Sequence, residues 1–241
     1  MPTGRPGRLQ TTIGARVHRV FAWLRLALAA VGVVALVFDL DYTLGFSTFS
    51  TVNYFLYFTF QSNLVNIGVL IASSMLALRR PGRGGAVFST FRGIVTTYVI
   101  VSGIVFGTIV SQASSHQYRI EVPWSSQLLH FWIPSLLILD WIVGVGRPRL
   151  LWRTVPISLG FPIVWGVFTL VRGSIVGWYP YFFLDPDQVT PLEFAFYSGI
   201  ALALFAGITA LLVWVSRWRP VLPRRPRVPA SPARPARTRR R

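Results

Sequence analysis

Six stretches of about twenty mostly apolar residues, each bounded by polar or charged positions, dominate the chain. They run roughly from Val20 to Phe38, Tyr54 to Leu78, Phe91 to Val110, Gln127 to Val145, Val155 to Val171 and Phe194 to Val215. A helix rises about 1.5 Å per residue, so each is near the ~20 residues that cross ~30 Å of hydrocarbon. The pattern predicts an all-α, polytopic membrane bundle of six transmembrane helices. The first run follows a basic stretch, as in a signal peptide, but it exceeds the usual apolar length of about 7–15 residues and reads as a retained span. The fifth is the shortest. Pro156, Gly160 and Pro162 within it predict a kink or a partly re-entrant path.

The segments between the runs alternate in charge. Arginines gather before the first span (Arg5, Arg8, Arg16, Arg19), between the second and third (Arg79, Arg80, Arg83), between the fourth and fifth (Arg147, Arg149, Arg153) and from Arg217 onward. The other connections carry Asp39 and Asp41, then Arg119 and Glu121, then Asp185, Asp187 and Glu193. The positive-inside rule then predicts a multi-pass protein of the cell membrane with both termini cytoplasmic. The chain divides into a basic tail (1–19), a six-helix transmembrane domain (20–217) and a Pro/Arg-rich tail (218–241) of disordered composition.

Composition narrows the function classes. Only 13% of residues are charged, about half the share in soluble domains, so a soluble catalytic domain is not expected. The net charge of +17 contains no lysine and sits in the tails and alternate loops. That placement suits anionic lipid head groups, and no nucleic-acid partner is expected. The absence of cysteine excludes disulfides and thiolate chemistry. His18, His116 and His130 lack any paired spacing, so no metal site and no cofactor are expected.

Chemistry is therefore sought among polar residues inside the spans, where burial is costly and usually functional. Thr59, Ser62, Asn63 and Asn66 in the second span share one helical face. Interhelical hydrogen bonding would account for such a face equally well. The fourth span carries His130, with Gln127 on the same face. A histidine here serves either as a general base or as a packing residue with its hydrogen bonds satisfied. Both spans are entered from the outer side, and Thr59 and His130 fall at matching depth, roughly 5–8 Å below the same surface. Asp140 is ten residues beyond His130 and points elsewhere. The aromatic segment after span five, with Trp178 and Tyr179, fits either an interfacial belt or a lid. Arg172 beside it could hold a carboxylate or phosphate, or extend to the surface.

Three motifs occur in a familiar order: Phe58-Thr59-Phe60 in span two, Leu129-His130 followed by Phe131-Trp132-Ile133-Pro134 in span four, and Trp178-Tyr179-Pro180 with Phe183-Leu184-Asp185 after span five. In motif order and span count the chain resembles the androgen-induced gene / androgen-dependent TFPI-regulating protein family, in its bacterial six-span branch, over roughly residues 25–214. Animal members are intramembrane threonine hydrolases of fatty acid esters of hydroxy fatty acids. The resemblance implies a lipid-ester substrate, Thr59 as nucleophile and His130 as its essential histidine. The run Gln61-Ser62-Asn63 is more polar than in the animal proteins. On this reading Gln61 and Asn63 are candidate oxyanion donors, Gln127 a support for the His130 ring, and Arg172, Trp178 and Tyr179 candidate substrate contacts. No carboxylate stands where a triad would need one. The alternative is a non-catalytic protein that binds lipid or another small molecule in the same cavity.

Overall fold

The computed structural model describes residues 7–46, 50–79, 85–115, 121–147 and 149–218. Arg5, Arg80, Arg83 and Arg119, His116, and the expected tail apart from Trp218 lie outside them. Among the described residues the chain is helical, with no strand. Its elements are α1 (Gly7–Leu44), α2 (Thr51–Tyr54), α3 (Phe58–Arg79), α4 (Ala86–Ser115), α5 (Trp124–Gln127), a π-helical turn (Leu128–Trp132), α6 (Ile133–Val143), α7 (Thr154–Ser158), α8 (Gly160–Val176), a short 3-10 turn (Phe182–Leu184) and α9 (Pro191–Val215). Six helical stretches are long and apolar enough to cross a membrane, at Arg16–Leu44, Phe58–Arg79, Ala86–Ser111, Trp124–Val143, Thr154–Val176 and Pro191–Val215. An integral membrane protein is compatible with all of them. The first helix starts at Gly7, well inside the stretch expected to be a tail, because hydrophobicity marks the bilayer-crossing part of a helix and not its end.

α4 is the central helix. Some 61% of its apolar window is buried, against 22–44% for the other five. Its residues enter all three buried clusters: Val99 joins Ala35, Ile67 and Leu129; Ile100 joins Trp141 and Val213; Tyr98 and Val101 join Phe58 and Phe205. The opposite faces of the outer helices are apolar and exposed, as at Val164, Val167, Phe168 and Ile175 of α8.

Two prolines shape the bundle by removing a donor. Proline has no N–H for the carbonyl four residues earlier, and its ring crowds that carbonyl. Pro162 frees the Ser158 carbonyl, and the α7–α8 break falls there; the Tyr98 hydroxyl donates to that oxygen at 2.8 Å. The expected kink of the fifth span is this break. Pro134 likewise frees the carbonyl of His130, and the chain there widens into the π turn Leu128–Trp132. α9 begins on a capping box in which Thr190 and Glu193 bond reciprocally, with Pro191 in its first turn, the arrangement that satisfies the free N–H groups of a helix start.

Candidate active site

Thr59 lies in the first turn of α3, and the π turn carries His130 on the facing wall. The two meet: His130 Nε2 is 3.2 Å from Thr59 Oγ1. The other ring nitrogen, Nδ1, is 2.9 Å from the Ser126 carbonyl. A carbonyl only accepts, so Nδ1 carries the hydrogen. The neutral ring then presents the Nε2 lone pair to Thr59, whose hydroxyl donates to it. The ring stacks flat on Phe106, with centroids 3.7 Å apart. Both contacts hold the imidazole in one orientation. π-helical turns inside α-helices concentrate at functional sites, and here the wider turn is what points His130 at α3.

α4 comes close enough for its side chains to join. Ser102 is buried and its hydroxyl donates to Thr59 Oγ1 at 3.3 Å. The next residue, Gly103, packs on the carbonyl that Pro134 frees; a Cβ there would collide with the His130 oxygen and stand 3.1 Å from Pro134 Cγ. Backbone atoms cannot rotate aside, so Gly103→Ala must push α4 and the π turn apart. Any reaction that needs the Thr59–His130 pair is expected to slow about 10²-fold, the cost of misplacing reacting groups by roughly 1 Å. Gly107→Ala, one turn away and 3.5 Å from its nearest neighbour, is the matched control. Equal rates in the two variants would show that the α4 approach does not hold the pair.

Asp39, near the end of α1, supplies a carboxylate. Its oxygens accept from Ser126 Oγ at 2.5 Å, Ser125 Oγ at 3.3 Å and the Tyr54 hydroxyl at 3.2 Å. Asp39 thus reaches His130 indirectly, by fixing Ser126, whose carbonyl holds Nδ1. Burial pushes the Tyr54 phenol well above its ordinary range, with Asp39 adding to the effect by charge and hydrogen bond. On the far wall, burial also raises Tyr181; its hydrogen bond to Thr59 opposes this and the neighbouring Tyr57 reinforces it. Tyr181 therefore stays a phenol at neutral pH and keeps a proton to donate.

These groups open onto a cavity of about 560 Å³, within the range of small-molecule sites. Thr59, Ser102 and His130 line it together with further hydroxyls and acids, and Leu36, Phe60, Val105, Phe106, Ile109 and Leu129 form its apolar walls. The other expected site residues are placed differently. The Gln61 amide donates to the Phe55 carbonyl, and the Gln127 amide to the Val122 carbonyl; neither lines the cavity. Ser62 and Asn63 donate to the Thr59 carbonyl within their own helix, so these two add no interhelical bond. The Ser126 carbonyl, and not Gln127, holds the His130 ring. Arg172 donates to Asn53 Oδ1 at 2.8 Å and lies over the Trp178 ring. Tyr179 covers Gly173, where a Cβ would collide with its ring. The aromatic segment does reach the cavity, but through Pro180 and Tyr181. The sequence reading missed Ser102, Asp39, Ser126 and Tyr181. The one signal for Asp39 was its position, at the same end of the bundle as Thr59 and His130.

Asp140, the charge read as pointing away from His130, is held elsewhere by Arg25 and Arg92, both at 2.8 Å.

No protein-family model matches the chain, and no match is found among curated proteins or solved structures.

Proposed function

We propose that this chain is an intramembrane threonine hydrolase of lipid esters, embedded in the cell membrane with both termini in the cytoplasm. The observation that carries the reading is the Thr59–His130 pair: a hydroxyl 3.2 Å from a ring nitrogen whose tautomer leaves it free to accept, on the lining of a cavity with apolar walls. A threonine hydroxyl is a weak nucleophile and needs an adjacent base. A histidine with no other use for its Nε2 lone pair supplies one.

Thr59 Oγ attacks the ester carbonyl as its proton passes to His130 Nε2. The tetrahedral oxyanion takes hydrogen bonds from the hydroxyl of Ser102, 3.3 Å from Thr59 Oγ1, and from that of Tyr181, which lines the same cavity; such donors stabilise developing charge strongly in a dry site. The C–O bond to the alcohol then breaks, and His130 returns the proton to the departing alkoxide. A water, deprotonated by His130, cleaves the acyl-threonine to the free acid, and the proton goes back to Thr59 Oγ. Asp39 is a positioning group that acts through Ser126. The acyl chain lies along the apolar walls, which gives a reason for an esterase to sit in lipid.

The test is hydrolysis of a fluorogenic fatty-acyl ester by the purified full-length protein in detergent, with Thr59→Ala as the blank. Turnover present in wild type and absent in folded Thr59→Ala supports the reading. Turnover equal in the two would remove Thr59 as the nucleophile.

A further inference from the structure

Among the described residues two charged side chains line the cavity, Asp39 and Glu121, and both are acidic. As the Nδ1–H tautomer that its bond to the Ser126 carbonyl favours, His130 adds no charge to the lining. No arginine among the described residues lines the cavity. Arg172, the cation expected at this end of the bundle, is committed to Asn53 and Trp178. The remaining polar lining consists largely of hydroxyls: Tyr42, Thr43, Tyr54, Tyr57 and Ser126.

A carboxylate or phosphate entering this space would meet like charge and find no guanidinium among the described residues to pair with, and an unpaired anion in a partly dry site is strongly disfavoured. An uncharged head group with several hydroxyls would instead exchange hydrogen bonds with the tyrosines and threonine and donate to the two carboxylates. We propose that the cavity takes a neutral, polyhydroxyl lipid ester, of the monoacylglycerol kind, and rejects esters that bear a free carboxylate. This departs from the substrate class that the family resemblance implies. It rests on the hydrolase reading only in naming the occupant an ester; the head-group preference itself is a binding property.

The test uses ligands that cannot be hydrolysed. The full-length protein in neutral detergent is offered an equimolar mixture of a 1-O-alkylglycerol and a fatty acid of equal chain length, and the bound ratio is read by native mass spectrometry. Wild type is expected to retain the glycerol ether about tenfold over the acid. Glu121 is exposed, so Glu121→Gln should leave the fold intact; it is expected to raise retention of the acid several-fold and to shift the ether far less, so that the ether-to-acid ratio falls. Val105→Trp, which fills the apolar wall, is expected to lose the ether. Equal or preferential retention of the acid by wild type would overturn the proposal. So would a ratio indifferent to Glu121→Gln, or ether retained by folded Val105→Trp. Because no turnover is required, a failure here and a failure of the hydrolase reading are separate results.

Discussion

His130→Ala is expected to lower ester hydrolysis by about 10²–10⁴-fold, the usual worth of a positioned general base, while the protein stays folded. The side chain makes two hydrogen bonds, to the Ser126 carbonyl and to Thr59, and one stacked contact with Phe106. Stacking of this kind contributes about 0.5–1.5 kcal/mol, small against a domain's stability. The loss of base function is the larger effect, because Thr59 keeps its hydroxyl but has nothing to take its proton. Removing the ring beside an existing cavity leaves room for exogenous imidazole. Added imidazole is therefore expected to restore part of the activity of His130→Ala and none of that of Thr59→Ala. A His130→Ala protein with wild-type rates would reduce the histidine to a packing residue.

Asp140→Ala is expected to cost about 3–5 kcal/mol of stability, the range for removing one partner of a buried ion pair. Asp140 accepts from Arg25 Nε and Nη2 and from Arg92 Nη2. Both arginine side chains are less than 10% exposed and Asp140 is 15% exposed. Arg25 also donates to the Val145 carbonyl at 2.7 Å, and Arg92 lies over the Trp141 ring. Without the carboxylate, two buried guanidinium groups on α1 and α4 face each other with no counter-charge between them. Arg92→Met should cost less, because Asp140 keeps its two-pronged bond to Arg25 and the group becomes neutral. Thermal unfolding in detergent gives the order; a smaller loss for Asp140→Ala than for Arg92→Met would contradict this account.

The six helices were legible because a bilayer demands some twenty apolar residues in a row, a pattern that survives short polar interruptions. Helix ends were not: α1 extends back to Gly7 through Arg16 and Arg19, since a helix can continue beyond the apolar part. The meeting of Thr59 and His130 was partly legible, because topology fixes depth and depth can be counted in residues. What depth cannot give is azimuth. Gln61 and Gln127 sit at suitable depth but bond to nearby backbone carbonyls. Ser102 is one of many hydroxyls on α4, with nothing in its spacing to single it out, and the close approach allowed by Gly103 brings it to Thr59. Asp39 was read as a loop charge that fixes orientation, whereas it lies within α1 and points at Ser126. Arg25 and Arg92 show the same gap. Intramembrane charges need partners, yet nothing in their spacing names Asp140, which is 115 residues from one and 48 from the other.

The most direct measurement of the central claim is covalent labelling of the purified protein in detergent with a fluorophosphonate, followed by mass-spectrometric mapping of the modified residue. Labelling on Thr59 that disappears in folded Thr59→Ala and His130→Ala is the predicted result. Absence of labelling in folded wild type, or labelling that survives Thr59→Ala, would contradict an activated threonine at this site.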